Sequence, residues 1–267
     1  MVVYRGILRY RRLLFVRFYV MRVLLTVEYK GTAYCGWQRQ KNALSVQEVL
    51  ANAYLTLTGE KVTMHGSGRT DAGVHALAQR VHFDTSSQIP PSRLPFALNP
   101  LLPADIKVTA AREVSDDFNA RFDVKRKTYV YKFYVSPHES PMLYDYQCHL
   151  VAEPDMEKMK DCASRIIGEH DFKPFQATGG HVKSTVREVY SIDVEKHGKE
   201  YVITLTGNGF LYNMVRIIAG TIYWCGIGKI PPSNVDEAFR TGDRKLLGKT
   251  LEAKGLYLAN VEYDLDE

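Results

Sequence analysis

The sequence predicts an α+β fold: a largely antiparallel β-sheet flanked by helices, in two similar halves. Segments rich in β-branched and aromatic residues alternate irregularly with segments of helical periodicity. Neighbouring strands look hairpin-linked rather than joined in a steady βαβ rhythm, and the order of elements in the first half resembles that in the second although the residues do not.

Val23 to Tyr29 reads as a strand closed by the Lys30-Gly31 turn. In "SVQEVLANAYLTL", Ser45 and Glu48 have capping-box spacing, and Val46, Val49, Leu50, Ala53 and Leu57 form an apolar stripe at helical spacing. "KVTMHG" and "QRVHFDT" read as strands, so the loop between them carries Asp71. In "ARFDVKRKTYVYKFYV", Tyr129, Tyr131 and Phe133 alternate along one strand face. "PDMEKMKDCASRIIGEHDF" reads as helix-rich, and "REVYSIDVEKHG" and "KEYVITLTGNG" as a hairpin turning through His197 and Gly198. "FLYNMVRIIAGTIYWCGIG" is a buried helix and "GLYLANVEY" the last strand. With no low-complexity linker, the halves are taken as residues 21–110 and 111–267, behind a basic extension at 1–20.

The chain has 267 residues, 45% of them hydrophobic and 24% charged, enough to bury a sizeable core and close to soluble averages. No apolar run is long enough to cross a bilayer. Cys35, Cys148, Cys162 and Cys225 form no CxxC pair, which argues against a zinc site or a disulfide framework and, without a secretory signal, for the cytoplasm. The formal charge of +5 misleads: residues 1–22 hold six arginines and no Lys, Asp or Glu, and without those arginines the charge is −1. A nucleic-acid surface must therefore come from local clustering of cations. The arginine-rich start has the composition of a transit peptide or a basic arm; we read it instead as translated upstream sequence before a start at Met21, where the strand pattern begins.

"GSGRTDAGVHA", residues 66–76, gathers Arg69, Asp71 and His75 among glycines and alanines. An Asp beside Gly is usually a turn former, but this loop is longer than a turn needs. It lacks the Gly-Lys-Ser/Thr of a phosphate loop and fits neither the dinucleotide fingerprint nor an EF-hand. Lys125, Arg126, Lys127 and Lys132 crowd the aromatic strand. Its plain reading is a half-buried strand with solvated flanks, yet aromatics interleaved with cations also suit an unstacked base and its phosphates. Arg216 sits inside an apolar helix and must find an anion or carry its charge to water. With a buried carboxylate as partner, it is expected to hold that acid ionised at a depressed pKa.

"EYKGTAYCGWQRQ", "GSGRTDAGVHALAQRVHF", "FNARFDVKRKTYVYKFY", "GEHDF", "NGFLYNMVRIIAG" and "AKGLYL", in order from about Met21 to Tyr263, resemble the bacterial tRNA pseudouridine synthase TruA family. The resemblance implies a pseudouridine synthase fold with a central active-site cleft, isomerisation of uridine at positions 38, 39 and 40 of the anticodon stem-loop, no cofactor, no metal, and a homodimer holding tRNA between positive clefts. It implies that Asp71 is the catalytic aspartate, that Tyr129 stacks on the target uracil, that Arg216 pairs with the aspartate, and that Arg69 enters the RNA to displace the nucleotide. Small residues around Asp71 would then let a flipped nucleotide reach it. Lys127, from the cation cluster, is the further substrate-binding candidate. The chain departs from the family in its first 20 residues and in Glu252, where many members have proline. Two readings from other classes stay open: a noncatalytic RNA-binding protein, and a glycosidase, for which the one available second acid is Glu28.

Overall fold

A computed structural model describes residues 20–180 and 182–265; the stretch read as upstream sequence lies almost wholly outside the described residues. In chain order the elements are β1 Met21–Tyr29, α1 Val46–Thr58, β2 His65–Gly66, β3 His75–Thr85, α2 Leu94–Leu98, β4 Ile106–Val114, β5 Val124–Val135 and β6 Cys148–Leu150. They continue as α3 Met156–Ser164, β7 Gly168–Asp171, β8 Val186–His197, β9 Glu200–Gly207, α4 Met214–Gly226, α5 Asn234–Thr241 and β10 Leu256–Tyr263. One ten-stranded sheet runs through the molecule in the order β4-β1-β3-β10-β5-β9-β8-β7, with β2 on β3 and β6 on β5. Among the described residues only the pairings of β3 with β10 and of β5 with β6 are parallel. The runs β4-β1-β3-β2 and β10-β5-β9-β8 repeat one topology, strand-helix-strand-strand-helix-strand with its fourth strand beside its first.

Local chemistry accounts for several element ends. Ser45 caps α1 by accepting from the Glu48 amide at 3.3 Å. The reciprocal half of the capping box does not form, because Arg39 holds the Glu48 carboxylate at 3.1 Å. The hairpin turns on Gly198 and Lys199, one residue later than expected, with His197 opposite Glu200. The helical reading of residues 154–172 is corrected: the helix stops at Ser164, and Gly168, at φ +114°, opens strand β7. The elements α2, β4, β6 and α5 have no counterpart among the segments expected from sequence.

The seam between the halves is short. Tyr257 lies opposite His75 and Leu258 opposite Ala76. His75 staples it: Nδ1 accepts from the Gly31 amide at 3.0 Å, which leaves the proton on Nε2 to donate to the Lys254 carbonyl at 3.1 Å. Its ring stacks on Tyr257 at 4.7 Å, and burial pushes its pKa down, which keeps the imidazole neutral. Immediately before it, the loop bearing Asp71 is fastened by backbone bonds from Trp37 N to Thr70 O at 3.2 Å and from Gly73 N to Tyr34 O at 3.3 Å. Gln79 ties the base of the loop, accepting from Ser67 Oγ at 2.6 Å and donating to Gly68 O at 2.9 Å. Gly36, at φ +95°, permits this packing: a Cβ there would stand 2.3 Å from the Thr70 carbonyl oxygen.

A second, smaller core of Leu24, Phe118 and Ala120 lies under the turn joining β4 to β5. Three side chains reach that turn's backbone. His82 Nδ1 accepts from the Ala120 amide at 3.1 Å, the Tyr263 hydroxyl donates to Ala120 O at 2.6 Å, and Arg22 donates to Phe118 O at 2.9 Å. Burial, then the neighbouring His65 and Arg22, push the His82 pKa down to about 4 despite Asp84 and Asp123.

Two outcomes follow. Gly36→Ala should destabilise the fold more than Gly59→Ala, because Gly59 is also left-handed, at φ +74°, but a Cβ there meets nothing within 4 Å. Chemical unfolding should put Gly59→Ala within the roughly 1 to 3 kcal/mol of a strained backbone and Gly36→Ala beyond it; equal losses would contradict the packing argument. Secondly, His82 titrates near pH 6.5 when unfolded and at about 4 when folded, so its contribution to stability is full above pH 6.5 and is lost as pH falls toward 4. Between pH 7 and pH 5 the wild type should lose on the order of 1 to 2 kcal/mol more than His82→Asn, measured by denaturant unfolding at both pH values.

Candidate active site

A cleft of about 1250 Å³ opens where the two halves meet. The first half lends it the Asp71 loop and Trp37; the second lends Tyr129 of β5 and residues 208–215, which run into α4. Among the described residues that line it, Asp71 is the only carboxylate, while Arg69, Arg121, Lys127 and Arg187 are cationic. The positive surface that bulk charge does not supply is thus concentrated here.

Arg216 occupies the first turn of α4, and its Nη1 lies 3.6 Å from Asp71 Oδ2, with their side chains 18% and 25% exposed. The guanidinium is held independently of Asp71: Nε donates to the Leu251 carbonyl at 2.7 Å and Nη1 to Asn213 Oδ1 at 2.6 Å. Asn213 makes this possible by adopting φ +60° at the helix N-cap, the one non-glycine residue described with positive φ. Neither snorkelling nor a short bidentate pair describes Arg216; it is a cation fixed by the protein and aimed at the acid.

The expectation of a depressed Asp71 pKa is corrected. Burial pushes the carboxyl up, and the opposing pull of Arg216 does not cancel it. At 3.6 Å and partly desolvated, the pair recovers only part of what the carboxylate loses in leaving water. Tyr129, 8% exposed, packs edge-on against Phe210 with ring centroids 5.1 Å apart. Its hydroxyl has no hydrogen-bond partner among the described residues. Burial, with Tyr29 and Asp71 nearby, raises its pKa, so Tyr129 enters the site as a neutral phenol rather than a phenolate base.

Arg69 is exposed and unpaired among the described residues. Lys127 Nζ donates to Ser67 O at 2.7 Å, and burial, then Arg121 and Arg187, push its pKa down to about 8. It therefore fastens the base of the Asp71 loop as well as lining the cleft. His75 supplies no group to the cleft, both ring nitrogens being committed to the seam. Glu28 is exposed on β1 opposite Lys107 and does not line the cleft, which leaves the glycosidase reading without a second acid. The loop's glycines also need a different account. A Cβ on Gly66 would stand 2.5 Å from the Trp37 indole nitrogen and one on Gly68 3.1 Å from Lys127 Nζ, so their small size serves the protein's own packing. Phe210, Arg121 and Arg187 were missed as cleft residues. Phe210 lay within a quoted motif, but nothing in "STVREVY" separates Arg187 from an ordinary surface-strand arginine.

The family model described as tRNA pseudouridine synthase matches residues 25–123 and 162–264. Over 243 residues the chain is 47% identical to the tRNA pseudouridine synthase A of Ruminiclostridium cellulolyticum, covering 91% of this chain and 99% of that one. It is 43% identical to the tRNA pseudouridine synthase A of Bacillus pumilus over 246 residues, covering 91% and 100%. A solved structure titled "Crystal Structure of a Cbf5-Nop10-Gar1 Complex" aligns with 88% of this chain and 48% of that one at a TM-score of 0.40 and 14% identity, too slight a likeness to carry an argument. The chain belongs to the tRNA pseudouridine synthase family and is an isomerase acting on tRNA.

Proposed function

We propose that the protein converts uridine to pseudouridine at positions 38, 39 and 40 of the tRNA anticodon stem-loop, with the Asp71 carboxylate as the reacting group. The observation that carries the proposal is the cleft's composition: one carboxylate, faced by the fixed Arg216, within a wall of four cations. Cations neutralise the phosphates of an RNA strand, and a lone carboxylate among them is positioned to act on the sugar or base rather than on the backbone.

The reaction breaks the N1–C1′ bond and joins C5 to C1′; the proton leaves C5 and N1 gains one, so atoms balance without a group donor or a redox partner. Burial makes Asp71 more basic than an ordinary aspartate, while Arg216 preserves its ionised form. The carboxylate can then attack C1′, add to C6, or take the 2′ proton on a glycal route. Tyr129, neutral and lacking an internal hydrogen-bond partner, suits holding the uracil while it turns. Extruding the nucleotide costs a few kcal/mol, which base stacking and phosphate contacts offset. Arg69, exposed and unpaired, is the side chain free to fill the space the nucleotide leaves. The reading extends to a cytoplasmic homodimer, in which two clefts concentrate positive charge that a body of net charge −1 cannot supply.

The test is conversion on an unmodified tRNA transcript, mapped by nucleotide. Wild type should form pseudouridine at positions 38–40, and Asp71→Asn should lose at least about a thousandfold in rate, as loss of a nucleophile does. At pH 7 the variant should melt at or above the wild-type temperature. A raised folded-state pKa means that ionised Asp71 costs stability, and the substitution removes that cost while Arg216 keeps its bonds to Leu251 O and Asn213. Turnover retained by Asp71→Asn would overturn the assignment.

A further inference from the structure

We propose that Phe122, at the tip of the turn joining β4 to β5, is a positioning residue that stacks on a base flanking the extruded uridine. The inference rests on the RNA reading above. Phe122 is 76% exposed and lines the same cleft as Asp71. A lone surface phenylalanine needs no explanation, but this one is presented by an anchored turn.

The residues on either side of the tip are pinned. Ala120 is fully buried, its amide bonded to His82 and its carbonyl to Tyr263. Asn119 Oδ1 accepts from the amides of Arg121 and Phe122 at 3.0 and 3.3 Å, and Asp123 accepts from the Asn119 amide at 2.6 Å. Beneath them Phe118 packs edge-on against Tyr263 with ring centroids 5.0 Å apart. The turn is closed on itself and bonded to β3 and β10, yet the ring at its tip faces water. The ring contact recorded for it is with the neighbouring Arg121 guanidinium, itself a cleft residue, so the fold's core makes no use of this aromatic.

The surroundings indicate what the ring faces. The Arg121 guanidinium lies 5.6 Å from its centroid, and Arg69, Lys127 and Arg187 line the same cleft. An exposed aromatic among phosphate-binding cations is a platform for a nucleic-acid base. Tyr129 is set deep and edge-on to Phe210, where the reacting base belongs, so the rim position of Phe122 suits the neighbouring base in the strand. Because the turn's backbone is already fixed, only the side chain's own torsions are ordered on contact.

The test uses the full chain and an unmodified anticodon stem-loop RNA. Because Phe122 is exposed, its replacement should leave the melting temperature unchanged. Phe122→Trp should retain wild-type kcat/KM, whereas Phe122→Leu, as apolar but without a π-face, should lose about 5- to 150-fold, the effect of removing one base–aromatic stack. Trp37 and Trp224 fluoresce in every variant, so the signal is the difference between Phe122→Trp and wild type. RNA binding should quench that extra emission. Equal activity of the Leu and Trp variants, or no additional quenching, would overturn the stacking role. Wild type inactive on this RNA would instead contradict the function proposed above, so the two failures are distinguishable.

Discussion

Everything at this site follows from removing one carboxylate from water. Asp71 stands in a cleft between two half-sheets, and burial raises its pKa even with Arg216 at 3.6 Å. An arginine in contact with an acid usually signals an acid made easier to ionise. Here desolvation outweighs the ion pair, giving a carboxylate that is more basic than an exposed aspartate and still paired with a cation. Such a group is a better nucleophile than a fully compensated one, and the fold carries the cost of keeping it.

That cost explains how much of the structure is committed to two positions. Arg216 is fixed by the Leu251 carbonyl and by Asn213 in a left-handed conformation. The Asp71 loop is clamped by Trp37, Tyr34, Gln79 and Lys127, and Gly36 gives up its side chain so that the clamp can close. The two groups come from different halves of the chain, and the seam that sets their relation is a parallel contact of two residue pairs. His75 sits in that contact with both ring nitrogens bonded, one to each half. A histidine four residues from the acid, which invites a catalytic reading, is instead part of the frame.

The fold was legible where periodicity was strong. The α1 stripe, the β8–β9 hairpin and the apolar α4 emerge from residue spacing, and the antiparallel character follows from the short turns. The elements missed are short or little buried: α2 has five residues, β6 three and α5 eight, and edge strand β4 fully buries only Ile106 and Val108. At the site, residue types singled out Asp71 and Arg216, because an acid among glycines and an arginine in an apolar helix are locally anomalous, whereas Tyr129 was one of three alternating aromatics and only the family resemblance set it apart. What sequence could not give was the balance between burial and charge. Arg216 as partner suggested a lowered pKa, and only the depth of the cleft reverses the sign. Nor could it give the role of the loop's glycines, which depends on Trp37 and Lys127 folding back over them.

The most direct measurement is a 13C-carboxyl NMR titration of Asp71, assigned by its loss in Asp71→Asn, in the wild type and in Arg216→Gln. The account predicts a wild-type pKa above the roughly 3.9 of an ordinary aspartate and a higher value still in Arg216→Gln, where burial acts without the cation. A wild-type value at or below that of ordinary aspartate would mean that the ion pair outweighs desolvation, and would contradict the account at its centre.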